Sequence, residues 1–86
     1  MNFRLSRHAE EEMVRRQISP TVLEEVLEHP QQRVPHREGI EILQSLVESA
    51  HGTMYLLRVV VAVDKEPPVV VTVYRTTKIH KYWRAP

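Results

Sequence analysis

Arg58 interrupts an apolar run, Leu56-Leu57-Arg58-Val59-Val60-Val61. A charge in such a run must be paired, hydrogen-bonded or turned towards a cleft, because burying it bare is costly. Its planar fork also suits phosphate. Cleavage of RNA by its own 2′-hydroxyl needs a base, a cation to stabilise the pentacovalent phosphate, and an acid for the leaving oxygen. Arg58 fits the second role. Tyr74, His80 and His8 are the candidates for the proton transfers, since a free imidazole titrates near pH ~6.5. Each has a plainer reading. His8 near a helix start can bond locally or pair with Glu12. Arg58 can lay its alkyl stem along an exposed sheet face.

A second set of residues could bind nucleic acid. Arg75, Lys78, Lys81 and Arg84 lie with His80 in an acid-free stretch that also holds Tyr82 and Trp83. Bases stack on such rings while lysines meet phosphates. The same two rings could instead anchor an ordinary tail. Arg15 and Arg16 are further phosphate candidates. Near the end of a helix they also complement its dipole, and Glu11 or Glu12 lies within pairing distance along the helix. The five histidines are scattered without HxH or HExxH spacing, and there is no cysteine. No metal or other cofactor is expected. Gly39 and Gly52 are the only glycines, so there is no Gly-rich phosphate loop.

The stretch Thr53–Thr76 must position these groups. Two runs rich in Val, Tyr and Thr flank the turn Asp64-Lys65-Glu66-Pro67-Pro68. Branched and aromatic residues suit a pleated surface, and the prolines end the ladder. The expected register sets Val63 opposite Val69, Val61 opposite Val71, Val59 opposite Val73 and Leu57 opposite Arg75. One face then carries Tyr55, Leu57, Val59, Val61, Val63, Val69, Val71 and Val73 and needs a cover. The other carries Leu56, Arg58, Val60, Ala62, Val70, Thr72, Tyr74 and Thr76, with Arg58 directly across from Tyr74.

The cover comes from the N-terminal half. Asn2 to Leu5 is a first strand or an extended lead-in. Ser6 is a plausible cap for a helix over RHAEEEMVRRQ, which should end near Gln17 or Ile18 because Pro20 disfavours helical geometry at Ser19. Ser19-Pro20 opens a second helix through Glu28, with Val22, Leu23, Val26 and Leu27 on its apolar side. Gln31–Gly39 can hold an edge strand, QQRV, broken by Pro35. Ile40–Glu48 reads as helix by propensity or as strand by its place before the turn at His51-Gly52. The turn favours the strand, with a bulge to reconcile its apolar doublets.

FRLSRHAEEEMVRRQIS, a Leu-rich helix ending at Pro30, and VVVTVYRTTKIHKYW together resemble the DUF4258 family over nearly the whole chain. The most specific parts are Ser6-Arg7-His8-Ala9, Arg15-Arg16 and Thr72-Val73-Tyr74. The family looks distantly similar to RelE/ParE-type toxins, many of which are ribonucleases of toxin–antitoxin pairs. The resemblance implies a compact antiparallel sheet under N-terminal helices. It marks His8, Arg15, Arg16, Thr72 and Tyr74 as positions of interest.

The expectation is therefore one α+β domain spanning residues 1–86, with two N-terminal helices packed on one face of a three- to four-stranded antiparallel sheet. The function expected is a toxin-like domain that binds or cleaves RNA. The alternative is a non-enzymatic interaction module whose exposed sheet face (Leu56, Val60, Val70) takes an antitoxin-like partner or a second copy. A net charge of +1 with neutral histidines does not by itself announce a nucleic-acid binder. The missing cysteines, the charged N-terminus and the lack of any apolar run of ~20 residues favour a cytoplasmic protein without a membrane partner.

Overall fold

The computed structural model describes residues 2–85. It runs β1 (Arg4–Leu5), α1 (Arg7–Arg15), α2 (Pro20–Glu28), β2 (Gln32–Arg37), β3 (Ile40–Glu48), β4 (Met54–Ala62), β5 (Val69–Thr76) and α3 (Ile79–Tyr82). The fold is α+β, but the sheet has five strands where three or four were expected, in the order β1-β5-β4-β3-β2. The added edge is the dipeptide β1, which lies parallel to β5; all other neighbours are antiparallel. Pro86, the last residue of the expected tail, lies outside the described residues.

Ser6 begins α1 and also ties it down. Its extended backbone and side chain cap the helix, with the Ala9 N–H donating to Ser6 Oγ at 3.0 Å. The same hydroxyl donates to the Val71 carbonyl at 2.8 Å. The helix closes earlier than Gln17, at Arg15. Gln17 takes a left-handed conformation (φ 54°), and the Gln17 and Ile18 N–H groups donate back to the Val14 and Met13 carbonyls. These are the two bonds of a Schellman turn, with glutamine where glycine is usual. Ile18 is thereby delivered into the core. At α2, Ser19 caps the Thr21 N–H and Pro20 takes the first helical position, as the sequence implies.

The core lies between these two helices and one sheet face. Ala9, Met13, Ile18, Leu23, Val26 and Leu27 pack on Leu43, Leu57, Val59, Val61, Val70 and Val73. The β4–β5 register is as expected from Leu57↔Arg75 through Arg58↔Tyr74 to Val59↔Val73. Beyond Val60↔Thr72 a bulge shifts it, so Val61 meets Val70 and Ala62 meets Val69. This corrects three placements. Val70 lies in the core rather than on the opposite face, Val69 shares the opposite face with Ala62, and Val71 is exposed. Val63, also expected under the helices, is exposed. The cause sits next to Ser6. A regular strand points successive carbonyls to opposite edges, yet the Ser6 N–H and Oγ bond the successive Val70 and Val71 carbonyls.

Ile40–Glu48 is a strand, and its pairing with β4 is uninterrupted from Ile40↔Ala62 to Glu48↔Met54. The expected bulge is absent. The apolar doublet Ile42-Leu43 needs none, because this strand is buried on both faces: Ile42, Leu43, Gln44 and Ser45 are all buried. β2 continues past Pro35 to Arg37, with its irregularity between those residues. As an edge strand it tolerates the missing proline N–H. Among the described residues no helix is long and apolar enough to cross a membrane.

Candidate nucleic-acid interface

The sheet face away from α1 and α2 carries a transverse polar row. Cross-strand pairing aligns Gln32 with Gln44, Gln44 with Arg58, and Arg58 with Tyr74. Paired residues share a face, so these four side chains lie side by side. Arg58 Nε donates to Gln44 Oε1 at 2.8 Å, and Nη1 donates to the Tyr74 hydroxyl at 2.7 Å. Gln44 Nε2 donates to Gln32 Oε1 at 2.8 Å. Only 7% of Arg58 is exposed. No carboxylate among the described residues forms an ion pair with it.

The C-terminal segment crosses this row like a strap. Tyr82 sets its ring 4.2 Å from the Arg58 guanidinium carbon and 6.4 Å from the Tyr74 ring, edge-on. Such a cation–π contact offsets part of the cost of burying the charge. The strap's backbone is held from below. Gln44 Nε2 donates to the Tyr82 carbonyl (3.2 Å), Gln32 Nε2 donates to the Arg84 carbonyl (2.6 Å), and the Arg84 N–H donates to Gln32 Oε1 (3.1 Å). The face expected to be an open apolar surface is therefore covered in part. Leu56 has no exposed surface, and Val70 faces the helices. Of the three residues proposed for partner binding, only Val60 keeps partial exposure.

A different region carries two exposed cations, Arg75 and Lys78. A groove of about 720 Å³ opens between Gln17 at the end of α1, the β3–β4 turn and the end of β5. Its lining includes His51, Tyr55, Arg75, Thr76 and Lys78, and no acidic residue. The Arg75 guanidinium lies 5.6 Å from the Tyr55 ring centre. Arg75 and Lys78 are exposed. The Lys78 N–H donates to Thr76 Oγ1 at 3.0 Å, which turns the chain from β5 into α3.

The expected sites divide between these places. Arg58 and Tyr74 meet as the hairpin register implies. His8 is exposed on α1, in the layer on the other side of the sheet, and His80 is exposed on α3. Neither imidazole hydrogen-bonds to Arg58 or Tyr74. Arg75 and Lys78 share the groove. Lys81 Nζ lies 5.4 Å from the Tyr82 ring, and half-buried Trp83 sits beside Gln32 and Arg33. Arg15 and Arg16 are engaged elsewhere. Arg15 makes a two-pronged contact with Glu12 (Nε to Oε2 3.0 Å, Nη2 to Oε1 2.7 Å), and Arg16 Nε adds a third bond at 2.8 Å. These bonds, Arg15's first, hold the Glu12 carboxyl at about 2, below its ordinary 4.5, and raise Arg15 in turn. Among the described residues no three His, Asp or Glu side chains gather as metal ligands.

Sequence reasoning missed Gln32, Gln44, His51 and Tyr55. Gln44 was legible in principle: had Ile40–Glu48 been registered against the hairpin, the only amide in that strand would have fallen opposite Arg58. His51 and Tyr55 carry no pattern of their own; only the fold brings them to Arg75.

The molecule is thus a small α+β domain with a strapped polar row on one side and an acid-free groove at one end. The chain belongs to the DUF4258 family, a domain of unknown function, whose model matches residues 5–75. That match includes Arg58, Tyr74 and Arg75 and stops before α3. No curated protein and no solved structure matches the chain.

Proposed function

We propose that this domain binds single-stranded RNA in the groove beside Arg75 and Lys78. One observation carries the reading: a cleft of about 720 Å³ holds two exposed cations, an imidazole and a tyrosine ring, with no acid in its lining. Arg75 and Lys78 meet phosphates, and Tyr55 offers a face on which a base can stack when Arg75 swings to the backbone. The family's distant likeness to RelE/ParE-type toxins, many of them ribonucleases, is the reason for choosing RNA as the ligand class. Binding is preferred to cleavage because His8 lies across the sheet from Arg58 and neither histidine reaches the Arg58–Tyr74 pair.

The test is fluorescence anisotropy of a labelled RNA oligonucleotide against protein, at several salt concentrations. The double variant Arg75→Ala/Lys78→Ala should weaken binding about tenfold or more. It should also flatten the plot of log affinity against log salt by about 1.4, since each phosphate contact on a single strand contributes about 0.7. Arg15→Ala and Arg16→Ala should leave both quantities unchanged, because Glu12 already holds those side chains. Unaltered affinity and slope in the groove variant would reject the reading.

A further inference from the structure

Two of the strap's backbone carbonyls are held by side-chain amides of the polar row. Gln44 Nε2 and Gln32 Nε2 each donate to a backbone carbonyl of the crossing segment, Tyr82 and Arg84. The Tyr74 hydroxyl accepts from Arg58 and keeps its own proton to donate. Arg58 Nη2 has no hydrogen-bond partner among the described residues and is not sealed from solvent. Removing the strap would leave one guanidinium and three side chains in the row with it, each with a free donor, and no carboxylate among the described residues in ion-pair contact with that guanidinium. A positive charge this deeply buried is normally balanced by an acid. Here neutral amides, a phenol and an aromatic face stand in.

Beyond those contacts, little in the strap's own structure holds it in place. α3 is a single turn, its first residue has no side-chain cap, and none of its residues is fully buried. Short helices of this kind open readily.

We propose that Arg58, Tyr74, Gln44 and Gln32 form a binding site for a phosphate monoester or pyrophosphate group, which the C-terminal strap occupies in the resting state. The guanidinium fork takes two phosphate oxygens, and the freed amide and phenol protons take the others. Tyr82 leaves the guanidinium as the ligand arrives, so the strap competes with the ligand for one set of donors. The site lies on the sheet face opposite the core and does not depend on RNA binding in the groove.

Trp83 is the chain's single tryptophan and belongs to the strap. Its emission therefore reports displacement. The 86-residue chain is titrated with millimolar sodium pyrophosphate at constant ionic strength, with sodium chloride as the control. A saturable red shift is expected with pyrophosphate alone. Tyr82→Ala, which weakens the closed strap without touching the donors, should tighten the response about tenfold. Arg58→Lys keeps the charge but loses the fork, and should weaken the response tenfold or more. Arg75→Ala/Lys78→Ala should leave it unchanged, which separates this site from the groove. A 5′-phosphorylated dinucleotide that competes with pyrophosphate where its 5′-hydroxyl counterpart does not would place the phosphate at a nucleic-acid end. Equal failure of both dinucleotides would assign the site to a free phosphate or pyrophosphate. The proposal is overturned if pyrophosphate produces no saturable shift in either the wild type or Tyr82→Ala, or if Arg58→Lys responds as the wild type does.

Discussion

On α1 the Glu12 carboxylate is gripped by two arginines, whereas across the sheet Arg58 is gripped by a glutamine, a tyrosine hydroxyl and an aromatic face. The first cluster balances its charge locally. Glu12 is buried, but Arg15 and Arg16 reach it from the surface, with 67% and 37% of their side chains exposed. Solvent screens those cations, so the cluster resembles an ordinary surface network with one sheltered member. The second cluster has no such balance. Its charge is the sheltered member, and every partner is neutral. Arginines that already hold a carboxylate have little left to offer a ligand. An arginine held by neutral acceptors keeps its full charge and at least one unused donor edge. By that comparison Arg15 and Arg16 have their donors engaged by Glu12, and Arg58 is the cation with spare capacity.

The comparison is most strongly challenged at Gln44. Gln44→Leu removes the acceptor of Arg58 Nε and the donor to the Tyr82 carbonyl, while roughly keeping volume. A charged group left short of a partner in a buried setting should cost about 3 kcal/mol in urea unfolding. Adding Arg58→Met on that background removes the stranded charge and should recover part of the loss, because a hydrophobic residue of similar length needs no partner. If Gln44→Leu costs no more than a surface substitution, or if the second change adds its own loss in full, Arg58 is not dependent on its neutral neighbours.

How much of this contrast was legible beforehand depends on how local each signal is. The pairing of Arg58 with Tyr74 followed from alternation on either side of one turn. Such alternation survives only as far as the ladder is regular, so the bulge that exposes Val71 could not be seen. Its cause, Ser6, lies 65 residues away in sequence. Strand β3 was ambiguous because apolar doublets fit a helix as well as a strand buried on both faces, and its second cover is the strap. Tyr82 and Trp83 were recognisable as rings able to dock a tail, but nothing in their spacing says that the tail lies across Arg58. The pairing of Arg15 and Arg16 with an acid was readable from i, i+3 and i, i+4 spacing, and Glu12 rather than Glu11 proves to be the acid because it faces inward.

The α1 cluster makes a smaller, pH-dependent prediction. The folded state holds the Glu12 carboxyl at about 2 against an ordinary 4.5, so folding favours the ionised form. Its contribution is complete above about 4.5 and is lost as pH falls towards about 2. Wild type should therefore be more stable than Glu12→Gln at neutral pH. The gap, measured by thermal or urea unfolding, should narrow through that acidic window. A gap that is constant from neutral pH to pH ~2, or that widens on acidification, would mean that the carboxylate is not held by its charge.

The smallest effect is expected from the two arginines taken one at a time. Arg15 contributes two bonds to Glu12, in the forked geometry that guanidinium and carboxylate share, and Arg16 contributes one. Arg15 is the more exposed of the two, so solvent screening keeps the stability lost with it modest. The sharper readout is the Glu12 carboxyl resonance followed by NMR through acid titration. Arg15→Ala should move that titration upwards further than Arg16→Ala does, and each variant should lose stability at neutral pH in proportion to its upward shift, the loss fading towards pH ~2. The reverse order would show that burial of the Arg16 side chain outweighs the number of bonds. The cluster would then follow the rule of shelter that governs Arg58, and the distinction between the two sides of the sheet would weaken.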